Sequence, residues 1–160
     1  MKMRSAVVCA AFLVFLFLGS AWGQLVVQIG DKKTEFTEET LAKMPQAKAT
    51  IKDHDGKDME YTGVSLFDVL VKAGAATGEK LRGKELAAYF IAEANDGYRV
   101  VFTLAEIDPS LGNHSVVLGY RMNGAALPET QAPLRLIFVG DGKQARSIRM
   151  LKFIRMVKVE

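Results

Sequence analysis

The sequence predicts an α+β fold, built from a mixed, mainly β sheet structure with a few short helices. Short runs rich in β-branched and aromatic residues alternate with turn-forming X-Gly pairs, which is typical of antiparallel or mixed strands. Only three segments carry signals for a helix start. No low-complexity linker and no internal repeat interrupts residues 24–160, so we expect one domain there.

The N-terminal segment predicts a secretory signal peptide. Lys2 and Arg4 provide a positive start, residues 6–18 form an almost unbroken apolar run, and small residues lead up to Gly23. The run is short for a membrane span, which needs about 20 residues. We therefore expect cleavage after Gly23 and a periplasmic or secreted protein without stable membrane insertion. An uncleaved N-terminal anchor is the alternative.

Removal of residues 1–23 changes the chemistry available to the chain. Cys9, the single cysteine, leaves with the signal, so the mature chain has no thiol nucleophile, disulfide or thiolate metal ligand. Two basic residues also leave, which lowers the formal charge of +3 to about +1. Such a balanced charge argues against a nucleic-acid partner.

The β-rich runs predict strands, and the X-Gly pairs between them predict the turns. Asp96-Gly97 favours a hairpin over residues 86–102. The predicted strands are residues 25–29, 48–52, 86–92, 98–102, 116–122, 134–139 and 153–159.

Three helices are predicted from their capping residues. Ser65 caps a helix whose apolar positions follow the i, i+3, i+4, i+7 spacing, and Gly74 ends it. Thr37 begins a short helix with acidic residues in its first turn. Thr103 and Glu106 form a capping-box pattern that opens a single turn.

The sequence has no recognisable metal-binding or nucleophile motif, so we predict no catalytic residue and no metal ligand. The acidic segment 53–58 lacks the spacing and the distal glutamate of a calcium loop, and a solvated turn is expected there. His54 and His114 lie in separate polar loops without the spacing of a zinc site. The sequence also lacks a Gly-x-Ser-x-Gly elbow and a phosphate-binding glycine loop before a helix.

The C-terminal third carries a group of arginines near two turns. Arg135, Arg146 and Arg149 lie close in sequence to Asn123-Gly124 and Asp141-Gly142, among apolar strands. Arginines at strand ends beside backbone-rich turns can bind an anion or a phosphate with two hydrogen bonds each. Pairing of these arginines with nearby carboxylates on exposed strand faces is the alternative.

Five segments resemble, in order, the sulfite-oxidase-type molybdopterin-binding domain. They are residues 61–70 (W/F-x-G-V-P-L followed by two leucines in the family), 96–98 with Glu106, 117–128 (L-A-Y-E-M-N-G-x-P-L-P), 133–136 (P-x-R-x) and 145–149 (A-R-x-V-K). The resemblance implies that family's fold for the chain. It also implies cofactor contacts from Arg146 and Arg149 with support from Arg135, a pocket mouth of Asp96, Gly97 and Tyr98, and a contribution from Asn123.

The main departure from the family is the metal ligand, which is a cysteine placed before the Gly-Val segment. Here no cysteine follows Cys9. The N-terminus also lacks the adjacent arginine pair of proteins exported with a bound cofactor. We therefore expect a non-catalytic binding module that takes a small anionic or heterocyclic ligand or a protein partner, with molybdopterin itself unbound. A molybdopterin-dependent oxidoreductase without a protein thiolate and a structural adaptor subunit are the alternatives.

Overall fold

The structure, a computed structural model, describes residues 24–159, and the predicted signal peptide lies outside them. Within this range the strands are β1 Leu25–Ile29, β2 Lys32–Phe36, β3 Gln46–Lys52, β4 Asp58–Ser65, β5 Tyr89–Ala94, β6 Arg99–Thr103, β7 Val116–Met122, β8 Ala125–Ala126, β9 Arg135–Phe138 and β10 Leu151–Val157. The helices are α1 Glu38–Ala42, α2 Leu66–Ala73 and α3 Leu104–Ile107, with 3-10 turns at Gly78–Lys80, Gly83–Ala87 and Gln144–Arg146. The predicted α+β class is confirmed.

The strands form two five-stranded sheets. Sheet A has the order β2-β1-β10-β5-β6, in which β1 and β10 are parallel and the other pairs are antiparallel. Sheet B has the order β3-β4-β7-β8, and β9 also pairs with β7, all antiparallel. One parallel pair among antiparallel ones makes sheet A mixed, as the sequence predicts.

Most predicted strands are confirmed, with shifts at their ends. The hairpin predicted at Asp96-Gly97 joins β5 and β6, and the predicted strands β7 and β9 pair with each other. The prediction of a strand starting at Leu86 is wrong, because Leu86 lies in a 3-10 turn and 42% of its surface is exposed. The last strand begins at Leu151 instead of Phe153, and strands β2, β4 and the two-residue β8 were not predicted.

The three predicted helices are present, and each begins where its capping residue predicts. Thr37 and Ser65 accept hydrogen bonds from the third residue of α1 and of α2, and Gly74 ends α2 with a φ of 112°. Thr103 accepts a hydrogen bond from the Glu106 amide at 3.2 Å. The reciprocal half of the predicted capping box is replaced, since the Glu106 carboxylate accepts from Arg146 at 2.6 Å instead.

The main core lies between the two sheets and takes in one face of α2. The four apolar positions predicted on α2 are all at most 1% exposed. Phe102 links the two sheets, because its ring stacks on Phe90 of sheet A at 5.5 Å and meets Phe138 of sheet B edge-on at 5.9 Å. Burial of large side chains on this scale is the dominant favourable contribution to folding.

A second apolar cluster covers the opposite face of sheet B. Its buried members are Ala49, Tyr61, Val117, Leu127 and Ile137. Successive residues of a strand point to opposite faces, so neighbours of these residues belong to the main core instead. The side chain of Arg135 packs on this cluster through Tyr61.

Among residues 24–159 no helix is both long and apolar enough to cross a membrane.

Candidate functional site

Arg135, the first residue of β9, is held on the outer face of sheet B. Alternation along β9 places Leu136 in the main core and puts Arg135 on the side of Ile137 and Tyr61. The guanidinium carbon lies 4.9 Å from the centre of the Tyr61 ring, which is cation–π distance. Only 5% of Arg135 is exposed, so a permanent positive charge is buried against sheet B.

The Arg135 guanidinium has only neutral partners. Its Nη1 donates to the Tyr61 hydroxyl at 2.5 Å and to Gln131 Oε1 at 2.8 Å, and its Nη2 donates to Gln144 Oε1 at 2.8 Å. The buried Nε has no hydrogen-bond acceptor. No carboxylate of residues 24–159 lies within 4.0 Å of the group. A buried charge without a counter-ion is costly, so this geometry suits an anionic ligand.

Arg149 adds a second positive charge beside Arg135. It is exposed, and within the described residues it has no carboxylate partner. Burial lowers the pKa of the Arg135 guanidinium, and repulsion from Arg149 lowers that pKa further. Two arginines that repel each other across a cleft are stabilised by an anion placed between them.

Two adjoining clefts share a wall formed by Arg135, Gln144 and Arg149. The larger has a volume of about 770 Å³ and extends from this wall toward the end of β3 and the loop at residues 140–143. The smaller, of about 350 Å³, extends toward the β5–β6 turn. Concave sites with a few convergent polar groups are typical of ligand binding. The larger cleft also has two carboxylates, Asp53 and Asp141, in its lining.

Those two carboxylates are already engaged by other groups. Asp53 accepts backbone hydrogen bonds from Asp55 and Lys57 at 2.9 Å each, which stabilises the turn. Asp141 accepts two hydrogen bonds from Arg146 at 2.9 Å each. Asp53, His54 and Asp55 could bring ligand atoms within 4.8 Å of one another, but these contacts are those of the solvated turn predicted there.

Arg146, predicted as a cofactor contact, lies apart from the other two arginines. It lines neither cleft and packs on the Phe138 ring, 4.3 Å from its centre. Its guanidinium bonds Asp141 through Nε and Nη2 and Glu106 through Nη1. Arg146 therefore follows the alternative stated from the sequence, in which an arginine pairs with nearby carboxylates.

The predicted pocket mouth contributes to the smaller cleft. Asp96 and Tyr98 line it together with Arg135 and Arg149. Tyr98 is half exposed and donates to the Ala145 carbonyl at 2.7 Å, which ties the β5–β6 turn to the loop before Arg149. Gly97 has a φ of 85° and makes the turn possible.

Asn123 lies outside both clefts. Its amide and side chain bond the backbone of Glu60, at 2.8 and 3.0 Å, and close the turn between β7 and β8. Its φ of 50° is a conformation that asparagine tolerates better than most residues. In this structure Asn123 has a local role in the turn.

Three functional candidates were missed by the sequence reasoning, namely Tyr61, Gln131 and Gln144. Tyr61 lies 74 residues before Arg135, and only the pairing of β4 with β7 and of β7 with β9 brings them together. Gln131 lies in an irregular segment and Gln144 begins a short 3-10 turn, and in neither is there a periodicity that marks a buried polar role. Only the position of Tyr61 at the start of the family-like segment 61–70 could have pointed to one of these three residues.

A third cleft of about 470 Å³ does not share this chemistry. It is lined by apolar side chains of the segment 126–134, by Tyr120 and by polar groups that include Glu38 and Glu129, without a basic residue. Its acidic rim opposes an anion.

Comparison with known proteins agrees with this architecture. Residues 22–160 match the family model described as the oxidoreductase molybdopterin binding domain. No curated protein matches the chain. Among solved structures, the sulfane dehydrogenase SoxCD from Paracoccus pantotrophus matches with a TM-score of 0.63 and 21% identity, over 86% of this chain and 39% of that chain. The chain spans about two fifths of the length of that protein, and the likeness is one of fold.

Proposed function

Because the chain belongs to the oxidoreductase molybdopterin-binding domain family, we propose that it is an exported, non-catalytic binding module of that family. Its ligand is a small anion, or a heterocyclic molecule with an anionic group, bound between Arg135 and Arg149. The observation that carries this proposal is the buried Arg135 guanidinium, which has three neutral acceptors and an orphaned Nε. A ligand oxyanion would supply the missing negative charge.

The donor groups fit one part of the family's cofactor and lack another. The phosphate of a molybdopterin would meet Arg135 and Arg149, whose hydrogen-bond geometry suits phosphate oxygens. When bound, that cofactor supplies a molybdenum centre for redox chemistry. The family's protein ligand to this metal is a thiolate, and residues 24–159 contain no cysteine. The side chains present therefore support recognition of the anionic group, and we propose no redox step.

The first experiment measures what the exported protein carries. The full chain is expressed in a secreting host with molybdate in the medium, recovered from the exported fraction, and assayed for molybdenum by mass spectrometry and for pterin by fluorescence after oxidation. We expect molybdenum far below one atom per chain. One molybdenum per chain would overturn the non-catalytic assignment.

The second experiment tests the location of the site. Inorganic phosphate is titrated calorimetrically into the wild type and into Arg135→Gln and Arg149→Gln. We expect each substitution to weaken binding at least about tenfold, which is the typical effect of losing a charge-assisted hydrogen bond. Arg155→Gln is the matched control, because Arg155 is an exposed arginine of β10 that lines neither cleft. Equal losses in all three variants would place the anion elsewhere.

A further inference from the structure

Gln144 occupies the position at Arg135 that an anion would take. Its Oε1 accepts from Arg135 Nη2 at 2.8 Å, and its Nε2 donates to the backbone carbonyl of Lys52. The side chain therefore spans the space between the 3-10 turn Gln144–Arg146 and the end of β3. It lines both clefts and, with Arg135, forms the partition between them.

In Arg146, the two neighbouring donors Nε and Nη2 of the guanidinium both have an acceptor. Arg146 donates through Nε and Nη2 to the two carboxylate oxygens of Asp141, at 2.9 Å each. This side-on arrangement is the strong two-bond geometry of arginine with oxyanions. In Arg135 the corresponding edge is incomplete, because Nη2 bonds the Gln144 amide oxygen and Nε bonds nothing.

The Gln144 oxygen accepts from Nη2 alone and leaves Nε without an acceptor, whereas the two oxygens of one anion can accept from both donors. The remaining nitrogen, Nη1, already bonds Tyr61 and Gln131 and has no need of a further acceptor. Nε is also shielded from solvent, so an anion reaches it only by displacing a neighbouring side chain, and Gln144 is the residue bonded to the adjacent Nη2. Gln144 is half-buried and is the first residue of a short 3-10 turn that follows two exposed residues, Gly142 and Lys143, and exposed connecting segments move more readily than strands.

We propose that Gln144 is a displaceable latch on an oxyanion subsite at Arg135. This inference rests on the proposed function of the same cleft and adds its ligand class and entry step. The ligand is a compact tetrahedral oxyanion, either free or as the phosphate group of a larger molecule. The oxyanion replaces Gln144 Oε1 as the acceptor of Arg135 Nε and Nη2 and lies within reach of Arg149. The two clefts become continuous when the Gln144 side chain moves away.

The latch makes opposite predictions for two substitutions of one residue. Gln144→Glu places a permanent carboxylate beside Arg135, so phosphate must displace a charged competitor, and we expect binding to weaken at least tenfold. Gln144→Ala removes the competitor, and we expect phosphate to bind at least threefold more tightly than to the wild type. Without phosphate, the glutamate variant should melt at a higher temperature than the wild type and the alanine variant at a lower one.

The experiment is a calorimetric phosphate titration of the full chain, with thermal unfolding followed by circular dichroism. Gln28→Glu is the matched control for the glutamate variant, because it changes the net charge equally at a half-buried position of β1 outside the clefts. Equal phosphate affinity in the wild type and both Gln144 variants would overturn the latch while leaving the binding function intact. Absence of phosphate binding in the wild type and in Gln144→Ala would overturn both the latch and the binding function. Binding in the alanine variant alone would show that phosphate does not displace the Gln144 side chain, which would overturn the latch as a displaceable one.

A parallel titration with glycerol 3-phosphate identifies the source of the oxyanion. Tighter binding of the ester than of inorganic phosphate would indicate the phosphate group of a larger molecule, for which the joined clefts offer space. Tighter binding of inorganic phosphate would indicate a free ion. Both results support the subsite, provided that Gln144→Glu weakens the binding of that ligand.

Discussion

Arg135 and Arg146 carry the same side chain in opposite electrostatic settings. Arg146 is one-third exposed and neutralised by two carboxylates, whereas Arg135 is almost fully buried beside neutral acceptors. Burial without a counter-ion costs folding free energy, and proteins concentrate such costs at sites of function. The two arginines therefore respond differently to substitution, and both responses can be measured.

Replacing Arg135 by methionine should raise stability while removing the ligand site. The thioether side chain fills similar space without a buried charge, so we expect the free energy of unfolding to increase by roughly 1–2 kcal/mol in phosphate-free buffer. Phosphate binding should be lost in the same variant. Urea unfolding followed by circular dichroism checks the first effect. A loss of stability would mean that the three hydrogen bonds of Arg135 outweigh its desolvation.

Replacing Arg146 by alanine should lower stability and spare phosphate binding. The change leaves Asp141 and Glu106 without their arginine partner, and we expect a loss of about 1–2 kcal/mol for this partly buried set. Calorimetry should show phosphate affinity within about twofold of the wild type. A tenfold loss of affinity would return Arg146 to the binding site, as the family resemblance implies.

The same cluster predicts the acid sensitivity of the fold. Burial raises the pKa of Glu106, but the hydrogen bond and the charge of Arg146 outweigh that effect and hold the pKa below 4.5. The hydrogen bond from Arg146 likewise holds the pKa of Asp141 below 3.8. Both groups bind protons more readily when unfolded, so their contribution is present above about pH 4.5 and is lost as the pH falls through their folded values.

We therefore expect the wild type to lose stability progressively as the pH falls below about 4.5, and Arg146→Ala to show a shallower slope there. Unfolding midpoints measured at several pH values test this. Parallel slopes in the two proteins would show that other carboxylates dominate the acid response.

At the residue scale, the sequence predicted the arginines and missed what decides their roles. Their position at strand ends beside turns identified Arg135 and Arg149 as candidates, and the family resemblance implied the Asp96–Tyr98 mouth. The partners are set by contacts between residues distant in sequence, such as Tyr61 with Arg135. Nothing in the local sequence predicts the different roles of Arg146, which ends a 3-10 turn, and Arg149, three residues later, because the carboxylates of Asp141 and Glu106 that bond Arg146 are placed by the fold.

At the scale of the elements, strands β4 and β7 approach each other unusually closely. The register shifts between Thr62 and Gly63, and a Cβ atom added to Gly63 would lie 2.0 Å from the Leu118 carbonyl oxygen. The atoms nearest to this added Cβ are backbone atoms of β7, so they can be relieved of the clash only if a strand moves. The pairing that brings Tyr61 toward Arg135 therefore depends on a residue without a side chain.

Gly63→Ala should consequently destabilise the protein by roughly 2–3 kcal/mol, as overpacking of a closely packed element does. Gly142→Ala is the control, because no atom lies within 4 Å of its added Cβ and its change should be within about 0.5 kcal/mol. Chemical unfolding of both variants provides the measurement. A neutral Gly63→Ala variant would show that the two strands can separate without cost.

The elements that the sequence did not predict are those with weak apolar alternation. Strand β2 is charged at most of its positions and is the edge of sheet A, where lysines prevent pairing with other chains. Strand β4 begins with polar residues and becomes buried only from Tyr61 onward. In contrast, α2 has a clear period and two unambiguous caps, so its bounds follow from local chemistry alone.

At the scale of the whole molecule, the proposed export makes a simple prediction. The apolar N-terminal run and the small residues up to Gly23 predict cleavage before Gln24. Mass spectrometry of the exported protein should show a chain that starts at Gln24 and lacks Cys9. An intact N-terminus in membrane fractions would support the anchor instead.

The parallel pairing of β1 with β10 has a consequence for the order of folding. Strand β10 lies third of five in sheet A, so residues 151–157 fill a central gap between strands made early in synthesis. Before β10 pairs, sheet A consists of two separate hairpins, β1–β2 and β5–β6, and an isolated two-stranded hairpin is only marginally stable in water. Completion of sheet A therefore waits for residues 151–157, and a chain truncated before them would leave β1 and β5 each without a neighbour on one side.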